Sequence, residues 1–442
     1  MKYILNGNNA LRSWWLVPGA LIEKESTAVK GLSDEEFRLL KACDGIQEIP
    51  ETPRLRELLE EGLIREAAPE DRLTPWQAAR EYENRFFAGI SWMITGRQYY
   101  NRDYRYNGGP ENEWSWPEAE RLMNEARDCG ILFVDITGGE PMMHPRFPDI
   151  LKGITDRGMY VREINTDGAL ITPDMLREMK QAGCTPEIRI TFDGVGVHDR
   201  TCRREGAEKT ALRSMEFCLD AGLQVMAQIS INRRNLASVP ATLERLDALG
   251  VQTARLIRTY ERENMLSTEE YFDGALKAVS QYAAGERRMK VAVWSMLQIL
   301  PEENRCLLPR SQAAYRDSLP VCSECRGKVF IGSDGELAPC HHMLDWQRGK
   351  GISLGNVRHT RLQRLLQYGP FINSVCRTLG DLKQENGKCA DCREFFRCRG
   401  GCRLSAALLT GDQNGCDTAC CLFYGNDYPA RIAAALPGYI IN

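Results

Sequence analysis

The chain has 442 residues, enough for roughly two to four domains and a sizeable core. Its 57 Lys and Arg against 60 Asp and Glu, a net charge of −3, give no electrostatic case for nucleic acid or an anionic membrane as a partner. No apolar run approaches the ~18 residues that span a bilayer, and "MKYILNGNNALR" lacks a secretory apolar segment, so a cytoplasmic protein is expected.

The first element group, residues 1–78, reads as a small α+β unit. "YILN" and "GALIE" are strand candidates. "SDEEFRLLKACDG" opens with a capping box, Ser33 with Glu36, and ends at Gly45. "TPRLRELLEEGLIREA" starts with Thr52 as N-cap and Pro53 at the first helical position, and Leu55, Leu58, Leu59 and Leu63 form one apolar stripe. Over 88–290 the chain alternates short apolar strands with amphipathic helices that end in glycine. The strands are "GISWMIT", "ILFVDIT", "MYVREINT", "EIRITFD", "LQVMAQISI" and "TARLIRT". Six such units predict an α/β fold with a parallel sheet, too few for a complete eight-stranded barrel. Ligands of such sheets bind at the carboxyl ends of the strands. Both "ITGRQYYNRDYRYNGGP" and the turn Gly138–Pro141 are expected there.

From 300 to 428 the pattern is loop-rich and dense in cysteine, and an apolar tail, 429–442, is expected to dock on the body. Of 17 cysteines, twelve lie between Cys306 and Cys421. In a reducing compartment such clustering points to metal rather than disulfides. Gathered thiolates repel one another and lose hydration unless a metal neutralises them. Cys389-x2-Cys392-x5-Cys398-x3-Cys402 departs from the paired C-x2-C units of zinc ribbons and fits cysteine-ligated 4Fe–4S clusters.

These residues also carry a resemblance. Cys325-x9-Gly335-x4-Cys340, followed by the four-cysteine run and a later cysteine, resembles the SPASM domain found on radical S-adenosylmethionine (SAM) enzymes that modify peptides. The resemblance implies two auxiliary 4Fe–4S clusters. One would be held by Cys322, Cys325, Cys340 and Cys402, and the other by Cys389, Cys392, Cys398 and Cys420. Cys421 remains open as an alternative to Cys420, and Cys306 to Cys322. The βα region resembles the radical SAM partial (βα)6 barrel. Gly138-Gly139-Glu140-Pro141 looks like the GGEP motif, whose backbone and carboxylate hold the SAM amino group. Thr191, in "RITFDGVGVHD", stands where the family places a ribose-contacting hydroxyl, and Tyr104 fills the aromatic slot of the cluster loop. Residues 1–78 look like the winged-helix domain that captures leader peptides, which implies a precursor peptide as partner.

One motif departs from the family. Its C-x3-C-x-aromatic-C loop binds the cluster that cleaves SAM, and the three cysteine positions are Gln98, Arg102 and Arg105 here. Arginine does not ligate iron. The SAM-cleaving cluster is therefore not expected to form, and SAM is expected to bind weakly at best. Three fates are open for the two arginines: a remodelled surface loop, an ion pair with Glu140 (or Asp167 or Asp193) filling the vacated pocket, or an anion site for substrate. Three functions are open too. The first is peptide maturation without SAM cleavage, alongside an active radical SAM paralogue. The others are a redox enzyme working through the auxiliary clusters, and a non-enzymatic iron–sulfur scaffold or sensor.

Overall fold

The computed structural model describes residues 1–15, 17–24, 28–102, 112–259, 264–309 and 314–442. Nine-residue and eight-residue helices, α1 (Asp34–Ala42) and α2 (Pro53–Glu60), form where the capping signals place them. Ser33 accepts from Glu36 N while Glu36 reaches back to Ser33 N, and Thr52 accepts from Leu55 N. They pack on two small sheets made of β1 (Lys2–Leu5), β2 (Asn9–Trp14), β3 (Val17–Glu23), β4 (Val29–Gly31), β5 (Asp44–Glu48), β6 (Ile64–Glu66) and β7 (Arg80–Glu81). The first sheet has the order β5-β1-β6 and the second β4-β3-β2-β7. Trp14 fastens the second sheet to the barrel: its ring meets Tyr82 and Phe86 within one apolar cluster that includes Leu132 and Phe133. Gly130 makes this contact possible. It sits at φ +76°, and a Cβ there would lie 2.5 Å from the Tyr82 ring and 2.6 Å from Trp14 Nε1.

The six expected parallel strands are present as β8 (Gly89–Met93), β9 (Phe133–Thr137), β10 (Tyr160–Thr166), β11 (Glu187–Thr191), β12 (Val225–Ile231) and β13 (Thr253–Arg258), hydrogen-bonded in chain order. Helices on the outer face bury Leu122, Ile150, Leu176, Met215, Leu243 and Phe272 against them. The sheet runs further at both edges than six units predict. β14 (Lys290–Val293) adds a seventh parallel strand next to β13, and β15 (Leu297–Leu300) and β16 (Arg305–Leu307) follow it antiparallel. At the opposite edge β17 (Lys328–Ile331) pairs parallel with β8 and carries β18 (Leu337–Ala338). Two segments of the supposedly loop-rich C-terminal part are thus sheet edges. The tail joins the sheet too: β19 (Ile440–Ile441) pairs with β16, and Tyr428 stacks on Phe423 and donates to Asp273 at 2.6 Å. Among the described residues no helix is long and apolar enough to cross a membrane.

Candidate functional site

The curved sheet wraps a cavity of about 710 Å³. Its lining includes Gln98, Arg102, the Gly138–Gly139 turn, Cys340 and His342. Its wall is charged. Asp135, fully buried, accepts from Arg162 (2.6 and 2.9 Å) and from Lys328 (2.8 Å). Arg189 bridges Glu163 (2.7 Å) and Glu187 (2.6 Å). Buried charges persist when paired and hydrogen-bonded, and these pairs keep the lumen polar instead of collapsing it.

After β8 the chain turns back on the GGEP turn. Gly139 N donates to Thr95 O (2.8 Å) and Glu140 N to Arg97 O (2.7 Å). A Cβ on Gly139 would lie 1.9 Å from Arg97 O, and one on Gly138 2.7 Å from Thr95 O. Both glycines therefore serve close approach of the neighbouring loop, where the sequence alone points to a ligand. Glu140 is fully buried and its carboxylate accepts from Thr166 Oγ1 (2.8 Å), Asp167 N (2.7 Å) and Met142 N (3.1 Å). Burial, and secondarily the Asp167 charge, push its pKa up to about 7. Pro141 opens the short 3₁₀ turn Pro141–Met143 behind it.

Arg102 is buried, with only 7% of its side chain exposed. It is neither a surface residue nor the partner of Glu140. Its Nε and one terminal nitrogen donate to Asp167 Oδ1 at 3.1 and 2.7 Å, and the other terminal nitrogen to Asp193 Oδ2 at 2.5 Å. Asp167 follows β10 and Asp193 follows β11, so one guanidinium ties two strand ends together. Glu140 instead takes its donors from Thr166, Asp167 N and Met142 N. Asp193 N also donates to His198 Nδ1 (3.0 Å), and Cys202 Sγ lies 3.5 Å from His198 Nε2. These three buried side chains converge within 4.8 Å. The imidazole Nδ1 already accepts from Asp193 N, and burial pushes the Cys202 thiol up to about 12. Gln98 and Thr191 line the cavity. Tyr104 and Arg105 lie outside the described residues.

The cysteines gather in two places. Cys322 caps the helix Ser323–Gly327. The Cys325 thiol stands in hydrogen-bond contact with both Cys322 and Cys340, which raises its own pKa and lowers that of Cys340. Cys402 precedes the helix Arg403–Thr410, which packs on the helix Met343–Gly349 just after Cys340, and its N–H donates to Asp417 (2.8 Å). Cys306 instead lies in β16 within the barrel core. Cys389, Cys398 and Cys420 share a small apolar cluster, and Cys392 is exposed. Cys416, unassigned from sequence, brings its Sγ to 3.7 Å from Cys389 Sγ. Cys421 senses the charges of Cys416, Cys398 and Cys392. All-sulfur donor sets of this kind suit 4Fe–4S clusters. The first loop offers none.

Comparisons with known proteins agree with this architecture. Residues 98–246 match the radical SAM superfamily, and residues 315–393 match an iron–sulfur cluster-binding domain, SPASM. PqqA peptide cyclase of Granulibacter bethesdensis is 27% identical over 311 residues, 68% of this chain and 77% of that protein. An AdoMet-dependent heme synthase of Methanosarcina barkeri is 22% identical over 73% of this chain and 93% of its own length. Streptococcus suis SuiB bound to S-adenosylmethionine shares the fold, with a TM-score of 0.67 at 14% identity over 95% of this chain and 99% of that one.

Two outcomes follow from the geometry. Arg102→Met leaves Asp167 and Asp193 buried without a countercharge and should lower stability by about 3–5 kcal/mol, read by chemical or thermal unfolding. Glu140 has a folded pKa of about 7 against an unfolded value of 4.5. Its contribution is therefore whole below pH 4.5 and lost as pH rises through 7. Glu140→Gln should gain stability relative to the parent across that window and plateau above it, by at most roughly 3 kcal/mol. A flat difference between pH 4.5 and 8 would refute this.

The fold, the matched segments and the cysteine layout agree: this chain carries a radical SAM domain and a SPASM iron–sulfur cluster-binding domain.

Proposed function

We propose that this chain is a cytoplasmic protein of ribosomal-peptide maturation that no longer cleaves SAM itself. It holds two auxiliary 4Fe–4S clusters, engages a precursor peptide and works beside an active radical SAM paralogue. The observation that carries this reading is the Arg102 guanidinium seated between Asp167 and Asp193, at a position where the family has a cluster thiolate.

The chemistry of each group supports the assignment. Arg102 brings a fixed positive charge that repels ferrous or ferric iron, and Gln98 is a neutral amide. Glu140, the motif carboxylate that would meet the SAM ammonium, is fully engaged by Thr166, Asp167 and Met142, so SAM binds weakly at best. Cys322, Cys325, Cys340 and Cys402 are the ligands we assign to the first auxiliary cluster, and Cys389, Cys392, Cys398 and Cys420 to the second. Cys416, the thiol nearest Cys389, competes with Cys420 for the fourth place. When bound, such clusters pass single electrons. The lumen reaches Cys340, so a peptide side chain held there lies next to the first cluster's ligands. Support for a peptide comes from the relatives: one is named for cyclising the peptide PqqA, and SuiB has been solved bound to its precursor peptide SuiA. The small domain at residues 1–78 is the part we assign to leader capture.

The same cavity favours a second reading, a redox enzyme that uses the auxiliary clusters without a radical, because substrate-sized space borders Cys340.

Anaerobic incubation with SAM and a strong reductant tests the proposal. No 5′-deoxyadenosine should form above the protein-free control. Its catalytic formation would overturn the reading. Retention of a radical SAM paralogue through purification favours the first reading over the second.

A further inference from the structure

The cations of the lumen are not equivalent. Arg102, Arg162, Arg189 and Lys328 each meet at least one carboxylate at 2.8 Å or less. Arg255, in the middle of β13, faces the same cavity, yet among the described residues its guanidinium makes no hydrogen bond or ion pair. Glu163 and Glu324 are near enough to act on it electrostatically, but neither reaches ion-pair distance. The surrounding wall strips its water, and Arg189 adds repulsion. An arginine held this way carries an uncompensated charge.

The sheet register supplies its neighbours. Gln228 on β12 stands opposite Arg255 on one side and Ala292 on β14 on the other, and Gln298 on β15 stands opposite Ala292. All four line the cavity. Neither glutamine side chain is hydrogen-bonded among the described residues. The small Ala292 leaves room between Arg255 and Gln298. Thr191, at the end of β11, sits opposite Gln228 and continues the row toward the SAM-type pocket. One rung of the barrel therefore offers a fork of guanidinium donors flanked by two free amides, in a wall where Arg102, Arg162, Arg189 and Lys328 already have carboxylate partners.

We infer that Arg255, with Gln228 and Gln298, forms a carboxylate-recognition site in the lumen, which takes an acidic group of the peptide substrate. The inference rests on the lumen being peptide-binding space, as proposed above. A guanidinium pairs two parallel N–H donors with the two oxygens of a carboxylate, and an amide N–H can add a third bond. One positive charge with two neutral amides matches a monoanion. A phosphate dianion would face one arginine and the nearby Glu163 and Glu324, a poorer match.

The test uses the full chain with its clusters and three small probes, followed by saturation-transfer NMR or calorimetry. N-acetyl-glutamate methylamide carries only a side-chain carboxylate, N-acetyl-alanine only an α-carboxylate, and N-acetyl-glutamine methylamide is neutral. At least one carboxylate probe should bind about tenfold more tightly than the neutral one, and which of the two does so tells an acidic side chain from a chain terminus. Arg255→Met should erase the preference while iron content and unfolding temperature stay at parent values, and Arg255→Lys should keep part of it. Equal binding of the neutral probe, tighter binding of inorganic phosphate, a preference that survives Arg255→Met, or no binding of any probe would each overturn the inference. The comparison among probes on the unmodified chain holds even if a variant fails to fold. Failure of the maturation reading looks different: the chain would cleave SAM or ignore precursor peptide, with the Arg255-dependent preference intact.

Discussion

One buried charge arrangement organises the barrel mouth, a guanidinium shared by two aspartates. Asp167 and Asp193 leave the ends of neighbouring strands and point into the mouth of the barrel, where carboxylates without a countercharge would be costly to bury. Arg102 resolves this by bonding to both. In doing so it fixes the loop after β8, whose backbone then closes onto Gly138 and Gly139 through Thr95 and Arg97. The mouth is thus built from the chain's own ion pairs and hydrogen bonds. Arg102 is thereby a structural element of the barrel mouth.

The barrel below depends on the same logic of paired charge. Alternate residues along β10 to β13 point inward and, Met226 apart, are polar, Arg189, Gln228 and Arg255 among them, while their neighbours Ile188, Ile190, Ala227 and Leu256 are buried on the helix side. Asp135 and Glu163 hold three of the cations in place. The result is a cavity whose wall is largely paired charge and whose lining includes both the GGEP glycines and Cys340.

Much of this was legible in the sequence, and the gaps have physical causes. The six parallel strands, the capped helices α1 and α2 and the glycine stops are set by local signals, which is why they were readable. β14, β17 and β19 are short, and their pairing is settled by distant partners: β17 joins β8 across more than two hundred residues of chain. The resemblance marks Arg102 as standing at a ligand position, but its pairing with Asp167 and Asp193 rather than Glu140 depends on strand-end geometry that a sequence does not display. The family resemblance implies Cys420 as the fourth ligand, whereas the fold brings Cys416 to 3.7 Å from Cys389. Arg255 had a signal in "TARLIRT", where a charge alternates with apolar residues inside a strand, and the same alternation in "EIRIT" and "MAQIS" marks the polar inner face.

The most direct measurement of the central claim is the iron and acid-labile sulfide content of protein reconstituted without oxygen. With Arg102 closing the first loop and only the SPASM cysteines available, about eight irons and eight sulfides per chain are expected. About twelve of each would show that a third cluster forms at the barrel mouth and would contradict the account.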